Sequence, residues 1–130
     1  MELELNSATV CFLIDKAREF HAKEAVTIIE EPNSPTDDWA LQVLADHRDD
    51  ATYQEMVDTI SDLEPDQQIA LVALMWLGRG DFSLGEWKQA LRQAGDAYNN
   101  RSADYLIATP LVADYWQEGL IAFGRSCDED

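Results

Sequence analysis

Reactive side chains are few in this sequence, and they are scattered. The histidines are His21 and His47, and the cysteines are Cys11 and Cys127. A histidine that binds metal or moves a proton needs acidic or imidazole partners at helical spacing. His21 has Arg18 three residues before it and Glu24 three after, while Leu44 precedes His47 by three. Neither the Glu-x-x-His pair of di-iron bundles nor the His-Glu-x-x-His of zinc proteases is present. Both histidines read as core-edge residues with one hydrogen bond each. No serine lies in a Gly-x-Ser-x-Gly turn. Cys11 falls in an apolar helical stretch and reads as an inert core thiol. Cys127 sits among acids, which oppose formation of the nucleophilic thiolate. The two lie near opposite ends without metal-ligand spacing, so reduced, unpaired thiols are expected.

The most notable polar residues flank the least polar stretch. Arg79 and Asp81 belong to Gly78-Arg79-Gly80-Asp81, directly after the apolar run Ile69–Leu77. Setting Glu86 as the last ligand of a calcium loop places Gly80 at the required glycine. The first, third and fifth ligand positions then fall on Met75, Leu77 and Arg79. None of these offers a side-chain oxygen, so an EF-hand is excluded. Gly78-Arg79-Gly80 follows a helix rather than a strand and is no phosphate loop. Asp114 sits between Ala113 and Tyr115, with Arg79 or Arg101 as its available partners. Arg79, Asp81 and Asp114 therefore form the candidate polar cluster, fit either to hold a carboxylate or phosphate in a shallow cleft or to cap helix ends and pair ions. No catalytic, cofactor-binding or metal-binding residue is assigned, and no cofactor is expected.

Charge narrows the partners. The chain has 26 acidic and 9 basic residues for a net charge of −17, and residues 1–66 carry most of it, with 17 acids against 4 bases. Such a field repels phosphate backbones and anionic lipid, which argues against nucleic acid and against a membrane surface. It suits a cationic partner or loosely held divalent ions, and it keeps a small domain in solution. With 130 residues, 46% of them hydrophobic, the chain has the length for one domain and the composition for a core. The acidic start Met1–Ser7, and the charges breaking the apolar run after it, do not read as a leader. A cytoplasmic protein is expected.

These side chains are positioned by short helices. Ile69–Leu77 is apolar on every side, which requires enclosure by other elements, and it is too short to span a bilayer, for which roughly 20 residues are needed. It forms a central helix over about 65–78, with Pro65 in its first turn and Gly78 and Gly80 at its end. Asn6 and Ser7 open an amphipathic helix to about Glu24, carrying Val10, Leu13, Ile14, Ala17 and Phe20 inward. Ser34-Pro35-Thr36-Asp37 starts another, with Trp39, Val43, Leu44 and His47 buried. Thr52 with Glu55, and Ser83 with Glu86, are capping boxes for two more. Ser102 begins a short turn with Tyr105–Ile107, and Thr109-Pro110 starts a last helix that Gly124 closes. The architecture is all-α, six or seven helices in a single domain over 1–124, followed by a loose acidic tail over 125–130.

The words LVALMWLGRGD at 71–81, EW at 86–87, ADYLIATPLVADYW at 103–116 and EGL at 118–120 resemble an uncharacterised bacterial family, a domain of unknown function. The resemblance covers about Ala8 to Gly124. It implies a small helical cytosolic bacterial protein and supplies no reaction, cofactor or catalytic residue. Function is therefore read from the residues. The first reading is a non-catalytic helical domain that binds a protein partner through an aromatic-bearing face, self-association being one form of this. The alternative is a small-ligand binder or enzyme with a cleft near Arg79, Asp81 and Asp114. A third reading is the buffering of divalent cations by connector carboxylates.

Overall fold

The computed structural model describes residues 3–24, 49–99 and 101–127. The helix expected over 35–48, with Trp39 and His47, lies outside the described residues. Among the described residues there are six α-helices and no strand: α1 (Ser7–Glu24), α2 (Ala51–Ser61), α3 (Pro65–Arg79), α4 (Trp87–Ala97), α5 (Ser102–Ala108) and α6 (Val112–Ala122), with a 3-10 turn at Leu84–Glu86 before α4. The chain is all-α, as its helical periodicity requires.

α3 is the organising element. Ala70 through Leu77 are all buried, Leu71, Leu74 and Met75 completely. α6 and α4 pack against it most extensively, with α1 lying on α6 and α2 lying on α1 and α5. Glu64 caps α3 in a reciprocal box with Gln67, and Pro65 follows at the first helical position, where its missing N–H costs nothing. Gly80 ends the helix in the left-handed region, at φ 95°. Gly78, expected to help end it, is helical instead, and it has another use. A Cβ placed on Gly78 would stand 1.7 Å from the backbone oxygen of Tyr115 on α6. On the opposing helix, a Cβ on Gly119 would stand 2.7 Å from the Leu74 carbonyl oxygen. Two glycines thus let α3 and α6 cross with their backbones nearly touching. Trp116 fastens the crossing by donating its indole N–H to the Leu71 carbonyl at 3.1 Å.

The capping boxes divide. Ser83–Glu86 forms as the spacing predicts, with the Ser83 N–H donating to Glu86 Oε1 at 2.8 Å. Thr52–Glu55 does not, because Asp50 takes the cap and accepts from the Tyr53 N–H at 3.0 Å. Thr52 is buried, and Glu55 turns to Lys16 on α1, 3.0 Å away. An aspartate two residues earlier offers the better acceptor once Thr52 is needed inside.

The two ends of the described chain meet. Leu3 and Leu5 are buried in the core, and Arg125 donates to the carbonyls of Leu3 and Leu5 at 2.8 and 2.7 Å and to Ser7 Oγ at 3.3 Å. Cys11 and Cys127 are joined in a disulfide, their Cα atoms 5.6 Å apart. This corrects the expectation of two unpaired thiols: sequence separation hid a pairing that helix packing makes possible. Residues 125–127, expected to be loose, are held by these bonds; 128–130 lie outside the described residues. No helix among the described residues is long and apolar enough to cross a membrane.

Candidate functional site

The three residues of the expected polar cluster fall into two places. Arg79 and Asp81 stand together: Nε and Nη2 of Arg79 reach Asp81 Oδ2 at 2.8 and 2.7 Å. They adjoin a polar thread in the core. The Trp76 indole donates to the Tyr105 hydroxyl at 2.8 Å, and the Phe82 ring lies 6.1 Å from the Trp76 ring, centroid to centroid. Tyr105 is buried, and its pKa is raised, chiefly by that burial and against the pull of Trp76 and Arg79. Burial opposes the Arg79 charge, and Asp81 and Tyr105 together more than offset it, so its pKa stands above the ordinary value. Arg79 and Asp81 thus serve each other, as do Trp76 and Tyr105. The arrangement fixes the end of α3 against α5, the use of such residues that caps and ion pairs exemplify.

Asp114 lies on the other side of the story. Its carboxylate meets Arg18 of α1 at 3.2 Å, and Arg18 also donates to Gln117 at 2.5 Å. Asp114, Gln117 and Ile121 follow at three- and four-residue spacing on one side of α6, and the exposed Phe12, Asp15 and Arg18 follow at three-residue spacing on α1. Arg18 joins those two sides, so they form a seam along the surface. At one end, level with Asp114, a cleft of about 220 Å³ is lined by Arg18, His21, Leu111 and Asp114 among others. His21 Nε2 is 2.8 Å from the Ile107 carbonyl. A carbonyl only accepts, so Nε2 carries the proton and Nδ1 is left as the acceptor. Burial lowers the His21 pKa, and the bond to Ile107 opposes this without cancelling it, which favours the neutral ring.

Leu111 is the outlier of the chain. It precedes α6 with φ 62°, the one non-glycine residue among those described in the left-handed region. A leucine there is strained by about 1–2 kcal/mol. Its side chain gains little burial in return, being 59% exposed. Ile121 and Phe12, also exposed at 53% and 40%, stand toward the opposite end of the seam. Pro110 explains the geometry: the last helix starts at Val112 rather than at the proline, and the tight connection after Thr109 bends through Leu111.

Sequence reasoning missed Arg18 as the partner of Asp114, since nothing in local spacing links residues 96 positions apart. It also missed the buried bond from the Tyr53 hydroxyl to Asp104. The signal there was an acid, Asp104, set within the apolar α5, of which every residue is buried. Among the described residues no three His, Cys, Asp or Glu side chains gather as a metal site. His47 lies outside the described residues.

The described residues thus define an all-α helical array in which a buried polar thread joins α3 to α5, with exposed Phe12, Leu111 and Ile121 on or beside α1 and α6 and exposed Tyr98 at the end of α4. The chain belongs to the family described as "Protein of unknown function (DUF3775)", whose model matches residues 53–125. That segment runs from within α2 to just past α6 and leaves α1 ahead of it. No curated protein and no solved structure matches the chain.

Proposed function

We propose that this chain is a non-catalytic protein-interaction domain whose working surface is the seam between α1 and α6, and that it receives an amphipathic helix bearing basic residues from another protein. The observation that carries this reading is Leu111: a strained leucine held in solvent at the rim of a cleft. Strain and exposure together are disfavoured in an isolated chain, and burial by a partner repays both. The seam supplies apolar residues toward both ends, Leu111 at one and Phe12 with Ile121 at the other. From Leu111 to Ile121 is about 15 Å at 1.5 Å per residue, close to three helical turns, which suits a helix laid along a groove. The acids Asp15, Asp114 and Glu118 beside it, on a chain of net charge −17, favour a cationic occupant over a second copy of the same chain, which the field repels.

The same charge argues against nucleic acid and a membrane surface as the occupant. A small-ligand cleft at Arg79, Asp81 and Asp114 is less well supported, because Asp114 pairs elsewhere and Arg79 is engaged by Asp81. The expectation of a cytoplasmic protein drew on free thiols, and the bridged cysteines remove that support.

A photo-reactive residue in place of Leu111, with another in place of Arg92 on the outer face of α4 as control, tests the reading in the native cell. The expected result is a discrete adduct from position 111 alone, mapping by mass spectrometry to a basic amphipathic helix and absent when Ile121→Glu is added. Equal adducts from both positions, or an adduct only to a second copy, would overturn it.

A further inference from the structure

We infer that the Cys11–Cys127 bridge is a thiol–disulfide exchange site for a small dithiol, and that opening it releases the amino-terminal segment from the core. The two sulfurs are placed unequally. Cys127 is exposed, whereas Cys11 is partly buried and packed against the core. They lie in an open surface hollow with Ser7, Phe12, Asp15 and Ser126, so an incoming reagent reaches Cys127 first.

The exchange balances as follows. One thiolate of the dithiol attacks Cys127 Sγ, a bond forms between them, and the Cys127–Cys11 bond breaks. Cys11 leaves as a thiolate and takes a proton from solvent. The second thiolate of the reagent then attacks its own sulfur in the mixed disulfide and forms a cyclic disulfide. Cys127 is expelled and protonated in turn. Two electrons pass from the dithiol, which is oxidised, to the protein disulfide, which is reduced.

What the bridge holds is shown by its neighbours. Arg125, two residues before Cys127, donates to the carbonyls of Leu3 and Leu5 and to Ser7 Oγ. Cys11 lies one helical turn past Ser7. The carboxyl-terminal residues are therefore fastened at two points, one covalent and one hydrogen-bonded, and the second clasps the segment whose Leu3 and Leu5 are each 4% exposed. Glu4 in that segment lines a cleft of about 430 Å³ with Ile69, Ala70, Trp87 and Leu91. With the covalent point opened, the guanidinium bonds and the burial of Leu3 and Leu5 alone retain the segment, and Arg125 is no longer tied to α1 through Cys127.

Dithiothreitol added to the full native chain, without denaturant, tests this. Before treatment neither cysteine should alkylate; after it both should, and oxidised dithiothreitol should restore the bridge. Hydrogen exchange of the Leu3–Ser7 amides should rise about tenfold or more on reduction, with the helical circular dichroism retained, because exchange reports local opening. Cys127→Ser should reproduce the reduced state. The inference is overturned if both thiols alkylate at the outset, if reduction needs denaturant, if exchange at Leu3–Ser7 is unchanged, or if reduction melts the helices. The last result would make the bridge a global staple rather than a latch.

Discussion

Replacing Gly78 by alanine tests the packing of α3 on α6 with opposing effects of known size. Helix propensity favours the change by about 1 kcal/mol, since Gly78 is helical and alanine restricts the unfolded chain. Against this, the new Cβ would lie 1.7 Å from the Tyr115 backbone oxygen and 2.6 Å from its carbonyl carbon. Backbone cannot rotate away as a side-chain end can, so ordinary contact requires the two helices to part by about 1.5 Å or more. Overpacking costs typically 1–3 kcal/mol and more where backbone must move, and parting also loosens Leu71, Leu74 and Trp116 across the crossing. The net expectation is a destabilisation of about 2 kcal/mol. A chain of 130 residues loses roughly 4 °C of Tm per kcal/mol, so the melting point should fall by about 8 °C. Gly95→Ala is the control: it is also in a helix, but its Cβ would meet only Ile69 Cδ1 at 3.8 Å, so it should raise the Tm by roughly 2–4 °C. Circular dichroism melts of the three proteins decide the matter. If Gly78→Ala melts as high as Gly95→Ala, the close crossing is wrong.

Three further outcomes follow from single side chains. Leu111→Gly should stabilise the isolated chain by about 1 kcal/mol in denaturant titrations, because glycine carries no penalty at positive φ; a loss of stability would mean that the leucine packs within its own chain. Tyr105→Phe removes the acceptor of the Trp76 indole and should cost about 1–3 kcal/mol by the same titration, the range for leaving a buried donor unsatisfied; an unchanged midpoint would show that the bond carries no stability. His21 has its folded-state pKa lowered below the ordinary 6.5, so the unfolded chain takes up its proton first as pH falls. Its stabilising contribution is complete above pH 6.5 and declines as pH drops toward the folded-state pKa. Thermal melts between pH 7.5 and 5 should therefore fall more steeply for the native chain than for His21→Gln, which keeps a donor for Ile107, and parallel curves would refute the shift.

Much of the architecture was legible because it follows from patterns local in sequence. α1 occupies Ser7–Glu24, where its cap and apolar spacing placed it, and α3 was marked by a run with no polar side. What local patterns do not carry is contact between distant elements. Asp114 was seen as an acid needing a base, yet Arg79, Arg101 and Arg18 are equivalent until α1 is laid on α6. The cysteines looked unrelated for the same reason. Gly78 reads in the sequence as a helix stop because glycine usually breaks helices; its value here is the space it leaves for another backbone, a property of the pair and not of the residue. The strained Leu111 was hidden likewise, since Thr109-Pro110 announces a helix start without saying which residue bends.

All of these sites depend on α3 being enclosed, since α6 is positioned by it and the seam by α6. Hydrogen exchange of the native chain, resolved by residue, measures that enclosure directly. The amides of Leu71–Leu77 should be the last to exchange, opening only with global unfolding, while the outer turns of α4 exchange far earlier. If Leu71–Leu77 exchange as fast as Gln89–Gln93, α3 is not the enclosed core of this fold and the surface assigned to α1 and α6 loses its foundation.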